Sequence, residues 1–256
     1  MSRIVVKVGS NVLTRADGMP DITEISSLVD QIAELRSLGY EVILVSSGAV
    51  ACGKRLIRNA DISGEVDRRQ LYSAMGQVRL IGLYFNLFRD HGIPIGQVLT
   101  MKENFEEGKA LENQKNCMEV MLRNGVLPIV NENDTVCITE LMFTDNDELS
   151  GLVAEMTGAG TLVILTNVDG LFDGNPSSGR SSLIRVVRKE DRVEDFIEEE
   201  GSSLGRGGMK SKCATARRIA GKGITVMIAN GKKENILVDL MTRGDQTPHT
   251  EFLPTL

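Results

Sequence analysis

Tryptophan is absent, and Phe and Tyr account for only 4% of the residues, so the chain has few aromatic platforms on which nucleobases could stack. Positive charge is not in excess either. Against 35 Asp and Glu stand 29 Lys and Arg, a net charge of -6 over 256 residues, which argues against a nucleic-acid-binding module. Histidine is nearly missing: His91 and His249 are the only two. A Ser-His-Asp triad is therefore not expected, and His91, directly before Gly92, reads as a helix-end residue. The four cysteines, Cys52, Cys117, Cys137 and Cys213, form no C-x-x-C pair and have no neighbouring histidine. Neither a zinc site nor a disulfide framework is suggested, no protein-held metal centre is expected, and the reducing cytoplasm is the expected home. Long apolar runs are lacking too. The first, Ile4 to Val8, is one strand's worth and is broken by Lys7, so neither a signal peptide nor a membrane span is expected.

What is present is a rhythm. Short β-branched runs at Ile4 to Val8, Val42 to Val45, Ile95 to Leu99, Leu127 to Val130, Leu162 to Leu165 and Thr225 to Ile228 alternate with segments of helical period. Ile22, Ile25, Leu28, Val29, Ile32 and Leu35 predict an amphipathic helix closed by Gly39, and Leu71 to Phe88 and Gly108 to Arg123 predict two more. The pattern predicts one α/β domain over residues 1–256, with a mostly parallel sheet and helices on both faces. Thr135 to Thr144 reads as a small hairpin, Asp173 to Ser182 as a surface loop, and Glu194 to Glu200 as a solvated acidic helix face.

Polar clusters stand where these elements end. Lys7 precedes Gly9 and Ser10; Ser46, Ser47 and Gly48 follow the second strand; Asn131, Glu132, Asn133 and Asp134 follow the fourth; Thr166 and Asn167 close the fifth. In an open α/β sheet, loops beyond the carboxyl ends of the strands converge on a ligand. Gly205 to Lys212, reading Gly-Arg-Gly-Gly-Met-Lys-Ser-Lys, runs into a helix over Cys213 to Ala220, a glycine-rich cationic helix start suited to a phosphate chain. Its spacing is not that of a Walker A loop, and a single glycine before Asn11 does not make a dinucleotide fingerprint. Taken alone, Gly205 to Gly208 reads equally well as a surface loop. Asp145 with Glu148 resembles a capping box, and Asp147 suits the first turn of the helix Glu148 to Met156, so that cluster also has a purely structural reading.

Six blocks in order resemble the glutamate 5-kinases of the amino acid kinase family: Lys7 to Ser10, Val45 to Ala49, Asn131 to Asp134, Asp145 to Asp147, Thr166 to Leu171, and Gly207 to Lys212. The resemblance implies a three-layer αβα sandwich, MgATP as donor, L-glutamate as acceptor, and L-glutamyl 5-phosphate as product. It further implies Lys7 on the transferring phosphoryl group, Lys212 on the leaving side, and Asp147 holding both ammonium groups. Glutamate is assigned Ser47, Asp134 and Asn146, with Gly48 and Asn131 lining the same pocket. The nucleotide is assigned Lys7, Thr166, Asn167, Arg206, Gly207, Gly208, Met209, Lys210, Ser211 and Lys212. Proline as feedback inhibitor and a homo-oligomer are also implied.

Many relatives carry a C-terminal domain of the PUA type, and a sequence stopping at Leu256 is expected to lack it. Asn167 stands where an acidic residue is common, and Arg206 where a small hydroxyl residue is frequent. The rival readings are an N-acetylglutamate kinase, a UMP kinase, and a catalytically silent amino-acid sensor. Gly9-Ser10 and Ser46-Ser47-Gly48-Ala49 depart from the paired glycines of N-acetylglutamate kinases, and the joint presence of Lys7, Asp147 and Lys212 weighs against a silent module.

Overall fold

The computed structural model describes residues 2–57, 62–137, 143, 145–175, 181–193 and 208–255. The β-branched runs form strands β1 (Arg3–Val8), β2 (Glu41–Ser46), β3 (Ile95–Thr100), β4 (Leu127–Glu132) and β5 (Thr161–Thr166). These are followed by the two-residue β6 (Val186–Val187), then β7 (Thr225–Asn230) and β8 (His249–Phe252). They build one sheet in the order β3-β4-β2-β1-β5-β7-β8-β6. All pairs are parallel except β7 with β8, where the chain turns back at the edge. Neither β6 nor β8 is evident in the sequence: one is too short, and His-Thr-Glu-Phe has no β-branched run.

Alternation along β1 sorts the layers. Ile4, Val6 and Val8 point into one core, which is closed by the short α1 (Ser10–Leu13) and helices α2 (Ile22–Ser37), α4 (Glu65–Asp90) and α8 (Ile236–Arg243). Val5 faces the other core, with Leu149 and Val153 of α6 (Asn146–Thr157) and Cys213, Ala216 and Ile219 of α7 (Met209–Ala220). Met118 of α5 (Lys109–Arg123) completes that layer. The result is the expected αβα sandwich with a mostly parallel sheet. Helix α2 ends where predicted, with Gly39 at φ 91° just beyond it, a conformation that costs glycine little.

Parity therefore decides where Lys7 goes. It shares the face of Val5 and sits one residue from the carboxyl end of the central strand, beside the N-termini of α6 and α7. After β4 the chain crosses back over β2 and β1 to place β5, so the strand order reverses beside β1, the usual position for a ligand crevice.

On the opposite face, α3 (Ala49–Lys54) and α4 touch backbone to backbone. A Cβ on Gly76 would fall 1.7 Å from the Ala49 carbonyl oxygen, and one on Gly53 1.8 Å from that of Tyr72. No larger residue fits this crossing without moving a helix, and it sets the height of α4 over β4. Of the predicted hairpin, 138–142 and 144 lie outside the described residues, and Asp134 to Val136 form a turn rather than a strand. The predicted loop at Asp173 is pinned at its base by Asp173 N–H donating to the Ser182 carbonyl (3.1 Å), while 176–180 lie outside the described residues, as does the acidic stretch 194–200.

Candidate active site

A cavity of about 670 Å³ opens beyond the carboxyl ends of β1, β2, β4 and β5. At its floor, Asp147 in the first turn of α6 is wholly buried and meets two lysines. Lys212 Nζ donates to its Oδ2 at 3.0 Å, and Lys7 Nζ lies 2.7 Å from its Oδ1. The Lys7 approach is a close ion pair set off the hydrogen-bonding direction, so Oδ1 lacks an aligned hydrogen bond. Both lysines are themselves 5–7% exposed. Burial pushes the Asp147 carboxyl up, but the charges of Lys7 and Lys212 outweigh it and hold the group below the ordinary aspartate range. Two cations thus converge on one buried anion.

The α6 start is fixed by its cap. Asp145 Oδ1 accepts from the backbone N–H groups of Asp147 (2.9 Å) and Glu148 (3.0 Å), and its other oxygen accepts from the Ser211 hydroxyl on α7. The two helix N-termini are thereby tied together, which places Lys212, one turn into α7, opposite Asp147.

A second chain of hydrogen bonds lines the wall. Asn146 Nδ2 donates to Ser47 Oγ and to Asn131 Oδ1, each at 2.9 Å, and Asn131 Nδ2 donates to Gln77 Oε1 at 3.0 Å. Gly48, at φ 105°, turns the backbone sharply after β2 so that α3 starts at the cavity edge. Asn131 proves to be the fifth residue of β4, which runs two residues further than predicted.

Sequence reading missed the residues of α4. Arg69, Ser73 and Gln77, spaced by four, form a polar stripe turned toward the end of β4. Arg69 donates through Nε to Asp134 Oδ1 (2.7 Å) and through Nη2 to the same oxygen and to Glu132 Oε2 (2.9 Å), while Ser73 Oγ donates to Asp134 Oδ2 (3.0 Å). The carboxylate expected to be open for a substrate ammonium is thus already held on both oxygens. The available signal was the four-residue spacing of polar side chains along one helix.

Lys7, Ser47, Gly48, Asn131, Asp134, Asn146, Asp147, Thr166 and Lys212 all line the cavity. Asn167 does not: it is exposed, and accepts from the Thr166 hydroxyl at 3.4 Å. Met209 packs its side chain against the second core, leaving its backbone at the α7 start as the part available to a ligand, and Gly208 is the N-cap. Lys210 is exposed, Ser211 serves Asp145, and Arg206 and Gly207 lie outside the described residues. No group of three His, Cys, Asp or Glu side chains able to hold a metal occurs among the described residues. No described helix is long and apolar enough to cross a membrane.

Residues 2–230 match the model of the amino acid kinase family. A glutamate 5-kinase of Bacteroides thetaiotaomicron is 56% identical over 254 residues, covering 99% of this chain and 71% of that protein. One from Chlorobaculum tepidum is 46% identical, covering 94% of this chain and 67% of its own length. Among solved structures, carbamate kinase from Giardia lamblia bound to AMP-PNP superposes with a TM-score of 0.69 at 14% identity, covering 99% of both chains, a likeness of fold. The chain belongs to the amino acid kinase family and, within it, to the glutamate 5-kinases.

Proposed function

We propose that the protein transfers the terminal phosphoryl group of ATP to the side-chain carboxylate of L-glutamate, forming L-glutamyl 5-phosphate for proline biosynthesis. The observation that carries this reading is the buried Lys7, Asp147 and Lys212 cluster, which sets two ammonium groups at the floor of a cavity beyond the carboxyl ends of a parallel sheet. A carboxylate is ionised at neutral pH, so no general base is required. A γ-carboxylate oxygen attacks phosphorus, the bond from phosphorus to the bridging oxygen breaks, and ADP departs with the electron pair. The obstacle is repulsion between anions, about 4 kcal/mol for unit charges about 4 Å apart at an effective dielectric near 20. Fixed ammonium groups offset it, Lys7 on the transferring group and Lys212 on the leaving side.

Mg²⁺ fits this cavity as an ion carried by the nucleotide. Asp147 is engaged by two lysines and Asp145 by a helix cap and Ser211, so the site's carboxylates form no cage of their own, and phosphate oxygens would hold the metal and share their charge with it. Thr166, Asn167 and the residues from Arg206 to Lys212 are assigned to the nucleotide, and Ser47, Gly48, Asn131, Asp134 and Asn146 to glutamate.

Incubation with MgATP and L-glutamate, N-acetyl-L-glutamate or UMP, with hydroxylamine to trap acyl phosphate, tests the reading. Hydroxamate and ADP with free glutamate alone are expected; ADP formed with UMP and no hydroxamate would overturn it. Asp134→Ala is expected to raise KM for glutamate about tenfold or more while leaving that for ATP nearly unchanged. Equal damage to both constants would reduce Asp134 to a structural support. The reading extends to proline as a competitor in the glutamate pocket and to a homo-oligomer, for which α4 offers Val78 and Phe85, 72% and 56% exposed. A proline titration of hydroxamate formation and light scattering test the two, and an indifferent rate or a monomer mass would remove them.

A further inference from the structure

We infer that Arg69 selects the acceptor by its α-carboxylate, as a specificity-determining cation at the wall of the cavity; this rests on the glutamate kinase reading above. Arg69 is held rigidly. Its Nε and Nη2 are fixed on Asp134 and Glu132, whose other oxygens are fixed in turn, Asp134 Oδ2 by Ser73 and Glu132 Oε1 by the Phe143 backbone N–H at 2.9 Å. That leaves Nη1, which donates to no described residue, on a side chain that lines the cavity.

The wall thus shows two carboxylates sharing one guanidinium, with one face of the fork still open. An α-amino acid head carries the complementary pair, an ammonium for the carboxylates and a carboxylate for Nη1. The phosphoryl-accepting end of the same molecule needs the lysines at the floor, so the two ends of glutamate meet different partners in one cavity. Lys54 and Arg68 also line it, but both are exposed, and Arg68 reaches no further than the Ile62 carbonyl among the described residues, at 3.4 Å. Arg69 is the cation on this wall with its geometry already set, and a preorganised donor discriminates where a loose one does not.

The test compares L-glutamate with its 1-amide and with 4-aminobutanoate, which keep the reactive carboxylate but lack the α-carboxylate. For the unaltered protein, kcat/KM for glutamate is expected to exceed that for either analogue on the order of 100-fold. In Arg69→Met the preference collapses: KM for glutamate rises, the analogues change little, and KM for MgATP stays within about twofold. Arg69→Lys regains part of the preference, and Arg69→Gln takes the place of the methionine variant should that one not fold. An equal loss for glutamate and both analogues would show that Arg69 merely props Asp134, and an unaltered protein indifferent to the α-carboxylate would overturn the inference outright. No hydroxamate from the unaltered protein with any acceptor would sink the kinase reading and this inference with it, an outcome distinct from hydroxamate formed without discrimination.

Discussion

Lys7→Ala and Lys212→Ala are each expected to lower kcat on the order of a hundredfold or more, with smaller changes in the Michaelis constants. The Nζ groups of both lysines rest on opposite oxygens of a single buried carboxylate, 2.7 and 3.0 Å away, so neither has to be gathered from solvent when charge shifts between the reactants. A donor already in place costs no reorganisation, and its interaction strengthens where water is excluded. Each substitution leaves Asp147 one remaining counter-ion, so the fold is expected to survive while the transition state loses a contact. Lys7 lies between Val6 and Val8 in the central strand, and Lys7→Met keeps its aliphatic bulk while removing the charge. Single-turnover formation of hydroxamate in a folded Lys7→Met or Lys212→Met protein separates the lost charge from a lost packing interaction. A kcat within a few-fold of the unaltered protein would remove that lysine from the chemistry.

The parts of this molecule legible in its sequence are those that local rules determine. Continuous β-branched runs and the 3.6 period located β1 to β5, β7 and the helices α2 and α5 closely, because a sheet buried on both faces demands apolar residues at successive positions, whereas α4 starts at Glu65, six residues before the predicted Leu71. The short β6 and β8 carry too few residues for any pattern. Lys7, Asp147 and Lys212 each stand at an element end, but their meeting was legible only through the resemblance to the glutamate 5-kinases; strand parity and helix phase explain the face they occupy. Arg69 was not legible. It lies two residues before the predicted helix start at Leu71, and a polar stripe on an amphipathic helix defaults to solvent. The reach from Arg69 to Asp134 is tertiary, spanning 65 positions, and no window of sequence contains it. Asn167 shows the opposite case: its block matches the family, while its exposed side chain is not among those lining the cavity.

Asp147→Asn is expected to abolish turnover and also to weaken the fold, and the pH dependence of the second effect identifies its cause. The asparagine is nearly isosteric, so the side chain fills the same space, but two buried ammonium groups lose their shared anion. Breaking a buried ion pair by removing one partner costs about 3–5 kcal/mol, which for a domain of this size corresponds to a fall in Tm of roughly 10 °C at pH 7. The Asp147 carboxyl has a folded pKa below its unfolded one, so its contribution is fully present above the unfolded value and is lost as pH falls through the folded value. The stability gap between the unaltered protein and Asp147→Asn should accordingly be constant from neutral pH down to about pH 5, then close progressively below about pH 4, where the unfolded carboxyl takes up its proton while the native one stays ionised, until the native carboxyl is protonated as well. Urea titrations of both proteins across that range measure the gap. One that stays open in acid would mean that shape, not charge, holds Asp147 between the lysines, and the electrostatic account of the site would have to be abandoned.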